Sequence, residues 1–290
     1  MQPSEERAAI AGMGRVLGPD MLAAVYALYR PEQDRLASLQ PPSATDLAYG
    51  DAPRQRLDLY APADGSKGAA TLLWVHGGGF LRGEKSSAEH PFNAHAGRWA
   101  ARNGMLGAVM NYRLAPEATW PAGGEDVIAA VEWLRANVAQ HGGDPDRIIL
   151  VGTSAGSVHV ATALQLSPDL PVRGAVLLSG LYGFTPLDER DTLYYGAPQL
   201  YPERMPRDAM VATALPLLLA CAEFDPPRFQ RETVGLLTAR LERHGVMPRA
   251  YIASGHNHFS LAYHLGGKDT RLADEILSFV GTVRAKGETA

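Results

Sequence analysis

The stretch that most constrains this chain is Arg147 to Leu166. It opens with Arg147-Ile148-Ile149-Leu150-Val151, a β-branched apolar run of the kind that fills a buried parallel strand, and closes with the Ala-rich helical pattern of Val158 to Leu166. Between them stands Gly152-Thr153-Ser154-Ala155-Gly156. A strand entering a helix through Gly-x-Ser-x-Gly turns so sharply that side chains two residues either side of the serine would strike the neighbouring strand and helix, hence the two glycines. The turn strains the serine backbone, presents Ser154 Oγ at the strand's carboxyl end and sets it beside the free N–H groups of a helix N-terminus. Ser154 is therefore a candidate nucleophile. The pattern alone is weakly specific, because glycine and serine are common in strand-to-helix turns.

The rest of the chain supplies a matching frame. Two alternating runs, Thr45 to Tyr49 and Arg54 to Tyr60, flank Gly50-Asp51-Ala52-Pro53 and predict an antiparallel hairpin at a sheet edge. Strand and helix patterns then alternate: Thr71 to Val75 with Ala94 to Arg102, Met105 to Met110 with Glu125 to Val138, and Arg147 to Val151 with Val158 to Leu166. Further strands are expected at Ala175 to Leu178, Leu215 to Cys221 and Arg249 to Ile252, with helices at Arg228 to Arg243 and Arg271 to Val283. This alternation predicts the α/β class, with about eight mostly parallel strands covered by helices on both faces. Residues 1–290 are read as one domain. Within it, residues 1–42 form a helical cap segment interrupted at Gly18-Pro19, and 181–210 form a lid-like insertion whose Tyr182, Phe184, Tyr194, Tyr195 and Tyr201 are costly to leave in solvent. Asp188, Glu189 and Asp191 are read as solvated charges of that insertion.

Composition excludes several functions. The formal net charge of −4, without a run of Lys and Arg, argues against nucleic acid as a partner. The Gly12-x-Gly14 pair follows no strand and lacks the third glycine of a dinucleotide site, so no cofactor is expected. A single cysteine, Cys221, fits a reducing compartment, and no apolar run approaches membrane-spanning length. With no signal-peptide pattern at Met1 to Arg7, the expected location is cytoplasmic, with no membrane partner. A homodimer is compatible with the composition, which does not fix the oligomeric state.

Three segments complete a site around Ser154. His76-Gly77-Gly78-Gly79 directly follows an apolar strand, and successive glycines let backbone N–H groups converge on one concavity. With the N–H after the nucleophile, this gives Gly78, Gly79 and Ala155 as candidate oxyanion donors. For the acid, Asp225 follows the strand Leu215 to Cys221 and is preferred to Glu223. For the base, His258 is preferred to His256 because it adjoins the apolar start of Phe259-Ser260-Leu261. The spacing of His256 and His258 would also suit a metal, but no second ligand cluster accompanies them in sequence, so no metal is expected. The remaining histidines are read as surface or packing residues.

Taken with Asn111-Tyr112-Arg113-Leu114-Ala115-Pro116-Glu117, Phe224-Asp225-Pro226 and Gly255-His256-Asn257-His258-Phe259, these segments resemble α/β-hydrolases of the hormone-sensitive-lipase type and the related bacterial carboxylesterase and kynurenine formamidase-like groups. The resemblance covers residues 70 to 285. It implies a serine carboxylesterase with Ser154 as nucleophile, His258 as base and Asp225 as the acid, acting on a small-molecule ester; the small cap left by residues 1–42 and 181–210, with mixed rather than broadly apolar residues, predicts a short acyl group. It also implies that Arg113 is structural, paired with Glu117 or Asp126. Thr153 stands where hormone-sensitive-lipase relatives usually carry an acid, and His258-Phe259-Ser260 replaces their usual His-Gly-Phe. These departures leave the subfamily and the substrate open. The same machinery would cleave an N-formyl aryl amide, so an arylformamidase is the alternative; a catalytically silent binding module of this fold is disfavoured, because such modules typically lose the serine or histidine and both are present here.

Overall fold

Eight apolar runs pair into a single sheet in the structure, a computed structural model describing residues 2–283. The strands are β1 (Ala44–Ala48), β2 (Arg56–Tyr60), β3 (Ala69–Val75), β4 (Leu106–Met110), β5 (Gly143–Thr153), β6 (Gly174–Leu178), β7 (Leu217–Phe224) and β8 (Arg249–Asn257). Their order across the sheet is β1-β2-β4-β3-β5-β6-β7-β8. The predicted hairpin pairs β1 with β2, and β2 also meets β4 antiparallel; every other pairing is parallel.

Alternation along the central strands decides which helices cover which face. In β3 and β5, Leu72, Trp74, Ile149 and Val151 enter a core layer shared with α2 (Pro19–Leu39), α3 (Ala94–Arg102) and α11 (Arg271–Thr282). Leu73, Val75, Ile148 and Leu150 enter the opposite layer, shared with α4 (Ala122–Asn137), α5 (Ala155–Leu166) and α9 (Pro227–His244). From β3 the chain steps to β4 on one side and returns to β5 on the other. The carboxyl ends of β3 and β5 thus flank a topological switch point, where open α/β sheets bind ligands.

Several element boundaries differ from the sequence reading. Strand β8 continues to Asn257, well past Ile252, because pairing with β7 resumes at Phe224 and Asn257 after an irregularity. Helix α5 begins at Ala155, without the expected coil before Val158. Helix α2 runs through Pro31 to Leu39, its second half held by buried Gln33 and Leu36.

The two segments outside the core are both firmly attached. Helix α1 (Ser4–Gly12) packs on β8, and α2 on α3 and α10 (Ser260–Tyr263). The 181–210 stretch contains the short helices α6 (Thr192–Tyr195) and α7 (Tyr201–Arg204) and leads into α8 (Arg207–Ala212). It is tied to α9 by Glu232, whose fully buried carboxylate accepts the N–H groups of Tyr182, Gly183, Phe184 and Thr185 at 2.7 to 3.1 Å. Asp191 corrects the sequence reading: it is buried and pairs with Arg228 at 2.5 Å, because a carboxylate drawn under the aromatic cluster requires a cation.

Candidate active site

The turn after β5 places Ser154 at φ 53° and ψ −120°, a strained backbone for any residue with a side chain. The neighbouring glycines are required by close approach. A Cβ at position 156 would lie 2.0 Å from the carbonyl oxygen of Val75, and one at 152 would lie 2.6 Å from the backbone of Gly156 and Ser157. Helix α5 therefore packs its first turn directly against β3, and Ser154 is carried to the switch point.

Three expected site residues meet there in one line. His258 Nε2 is 2.9 Å from Ser154 Oγ, and His258 Nδ1 is 2.7 Å from Asp225 Oδ1. The buried carboxylate accepts Nδ1–H, which fixes the tautomer and leaves the Nε2 lone pair facing the serine hydroxyl. Asp225 is fully buried, yet its second oxygen is satisfied by the Ser179 hydroxyl and the Ala222 N–H, each at 2.6 Å. Phe229 packs against the His258 ring with centroids 4.3 Å apart. Ser154 itself stays partly exposed.

The competing residues lie elsewhere. Glu223 is half-buried and accepts the Gly255 N–H at 2.7 Å and the Ser254 hydroxyl at 2.9 Å; these bonds hold its carboxyl below the usual range and turn it toward the β8 backbone. His256 belongs to a second serine-histidine-aspartate array: Nδ1 is 3.1 Å from Ser260 Oγ and Nε2 is 3.2 Å from Asp269 Oδ2. All three members are buried, so no substrate reaches Ser260, and this array braces the segment that carries His258.

His256, His264 and Asp269 also lie close enough together to suggest a metal cradle. The two imidazoles stack with centroids 3.9 Å apart and 25° between their planes. His256 spends both ring nitrogens on Ser260 and Asp269, and His264 gives its Nδ1–H to the Ser260 carbonyl at 2.6 Å. Asp269 is moreover engaged by Arg271 at 2.5 Å. The donor set is a hydrogen-bonded network that does not fit a metal.

The glycine loop after β3 runs alongside the serine: a Cβ at Gly77 would sit 3.2 Å from Ser154 Cβ. Gly78 has φ 137° and comes so close to the Arg82 carbonyl that a side chain there is impossible. Among the described residues, the N–H groups of Gly78, Gly79 and Ala155 have no backbone acceptor, so they are available as candidate oxyanion donors beside Ser154. The loop is fixed from below. Tyr112 donates to the His76 carbonyl at 2.8 Å and stacks on the His76 ring, while burial pushes that imidazole down to about 4 and keeps it neutral. Arg113 pairs with Asp126 at 2.8 Å and with Glu125, and so fastens the segment following β4; Glu117 is not its partner.

An aromatic cluster closes one side of the site. Phe80, directly after the glycine loop, stacks on Tyr194 at 4.3 Å, and Tyr195 meets both rings edge-on. Tyr194 and Tyr195 are buried in this cluster along with Ala155 and Phe229. Sequence reasoning missed Ser179, Phe229 and Arg15, whose guanidinium donates to the Asp225 carbonyl at 3.1 Å. The only signal for Ser179 was a polar residue at the end of an apolar strand beside the strand that leads to Asp225.

The comparisons bear on the fold. An esterase from the hyperthermophilic archaeon Pyrobaculum calidifontis superposes with a TM-score of 0.70 at 22% sequence identity, covering 97% of each chain. The chain has the α/β-hydrolase fold. The family profile described as BD-FAE matches this α/β-hydrolase over residues 57–170, from β2 to just beyond α5. Among curated relatives, a probable carboxylic ester hydrolase, LipM, from Mycobacterium tuberculosis is 33% identical over 159 residues, covering 50% of this chain and 36% of its own. The esterase LipQ from the same organism is 27% identical over 271 residues, covering 82% of this chain and 62% of its own. The α/β-hydrolase chain thus spans less than two thirds of the length of either relative.

Proposed function

We propose that this chain is a serine carboxylesterase that hydrolyses short-acyl esters of small molecules. The observation that carries the reading is the unbroken line from a strained, accessible Ser154 through His258 to a buried Asp225 at the sheet's switch point. In this mechanism Ser154 Oγ attacks the ester carbonyl carbon as its proton passes to His258 Nε2, and the carbonyl oxygen becomes an oxyanion held by the N–H groups of Gly78, Gly79 and Ala155. The C–O bond to the alcohol then breaks, and the leaving oxygen takes the proton from His258. Water repeats the sequence on the acyl-enzyme, giving its proton to His258 and releasing the carboxylic acid with Ser154 restored. Asp225 accepts the Nδ1–H of His258 and stabilises the transient imidazolium.

Two neighbours named as esterases, LipQ and the Pyrobaculum enzyme, support ester chemistry ahead of formamide cleavage. The packed wall of Phe80, Tyr194 and Tyr195 supports a short acyl group. A cytoplasmic location belongs to the same reading, since the single cysteine, Cys221, is a buried free thiol, as a reducing compartment allows. Incubating the protein with a fluorophosphonate and mapping the adduct tests the proposal. Labelling of Ser154, abolished together with p-nitrophenyl acetate hydrolysis in Ser154→Ala, is expected; full turnover in that variant would move the nucleophile elsewhere.

A further inference from the structure

A cavity of about 230 Å³ lies between α2, α3, α11 and the loop after α10, and none of its lining residues belongs to the aromatic cluster beside Ser154. Helix α3 contributes Arg98 and Arg102, four residues apart on one helix face. Among the described residues neither has a carboxylate within ion-pair distance. Arg98 lies over the Tyr60 ring and gives one Nη1–H to the Pro91 carbonyl at 3.0 Å, while its buried Nε–H has no acceptor. Burial without a paired anion pulls this guanidinium below its ordinary range. His95, almost completely buried, also lines the cavity; its Nε2–H is taken by the Ala262 carbonyl at 3.0 Å and its Nδ1 is left unsatisfied.

Like charges four residues apart on a helix repel, and two guanidinium groups on one cavity wall without a paired carboxylate gain from an anion placed between them. The remaining wall is apolar, from Leu36, Trp99 and Leu277. We propose that this cavity binds a small amphipathic carboxylate, with Arg98 and Arg102 holding the carboxylate and Trp99, Leu36 and Leu277 holding its apolar body. Asp274, also in the wall, accepts the Thr270 hydroxyl at 2.8 Å and offsets only one of the two arginine charges, so the lining keeps a net positive charge.

Sodium benzoate is the probe and benzylamine the control, titrated at constant ionic strength while the arginine Nε–H resonances are followed by NMR. The Arg98 signal, assigned by its loss in Arg98→Lys, is expected to shift saturably with benzoate only. Arg102→Gln, a change at an exposed side chain that leaves the core untouched, is expected to weaken binding about tenfold. Absence of a saturable Arg98 shift, an equal shift with benzylamine, or unchanged affinity in Arg102→Gln would overturn the proposal. Should Arg98→Lys fail to fold, the Arg102→Gln titration followed by calorimetry decides the same question.

Discussion

Ser179 donates its hydroxyl to Asp225 Oδ2 at 2.6 Å, the carboxylate oxygen that His258 leaves free. With the Ala222 N–H on the same atom, it fixes the plane of the carboxylate and so the direction of the imidazole. Ser179 thus acts through Asp225 as a positioning residue. Ser179→Ala is expected to lower kcat about tenfold with little change in KM, since a hydrogen bond to a charged group is worth about 1.5–3 kcal/mol and this one touches no substrate. Asp225→Asn is expected to cost about 10⁴ in kcat through loss of the tautomer, whereas Glu223→Gln stays within a few-fold. Steady-state kinetics on a p-nitrophenyl ester checks all three; a raised KM with unchanged kcat in Ser179→Ala would contradict the positioning role.

The two histidines of the loop after β8 separate by what their loss does. His258→Ala removes the proposed base and is expected to reduce turnover at least about 10³-fold with thermal stability retained. His256→Ala breaks the buried bonds to Ser260 and Asp269 and is expected to lower stability by about 1–3 kcal/mol with a smaller loss of rate. Denaturant melts beside initial rates distinguish these outcomes, and the reverse order would exchange the two roles.

Glu232 anchors the 181–210 insertion through four backbone N–H groups and the Thr185 hydroxyl. Glu232→Ala leaves these donors buried without an acceptor, at about 1–3 kcal/mol for each that water cannot reach. Limited proteolysis is expected to cut the variant within 181–210 at protease levels that spare the parent. Equal resistance would show that the aromatic packing alone holds the segment.

Four buried histidines give stability a pH dependence of known sign. Burial depresses His76 and His95 to about 4, and His159 and His264 to about 3, below the ordinary value of 6.5. The unfolded chain therefore binds more protons than the folded chain as pH falls below about 6.5, and unfolding becomes easier at up to about 1.4 kcal/mol per pH unit for each histidine. Stability is complete above that pH and declines through the window down to pH 3–4. Urea midpoints between pH 7 and pH 5 measure the slope, and His159→Gln, which keeps an acceptor for Tyr194, is expected to reduce it.

On the proposed reading, the wall that Phe80 and Tyr194 form in stacked contact limits acyl length. Each methylene buried before that wall contributes about 0.8 kcal/mol, and carbons beyond it collide with close-packed rings. The ratio kcat/KM on p-nitrophenyl esters is expected to rise over the first few acyl carbons and then fall. Tyr194→Ala is expected to move the maximum to longer chains; a maximum that stays in place would put the wall elsewhere.

What the sequence determined by itself was local. Gly152, Ser154 and Gly156 had to form a tight strand-to-helix turn, because a Cβ at either glycine meets backbone that no rearrangement of side chains can move. The alternation of short apolar runs with helical patterns determined the parallel sheet, since each run buries both faces and needs a crossover before the next. Tertiary structure decided the relations between segments distant in the chain. That Asp225 and not Glu223 meets a histidine depends on how β7 ends against β8, two residues apart in sequence but facing different partners. That His258 reaches Ser154 while His256 is sealed against Asp269 depends on packing across 104 and 13 residues, respectively. Asp191 looked like a surface charge because burial of a carboxylate is decided by whether a cation such as Arg228 arrives with it, and spacing along the chain carries no record of that.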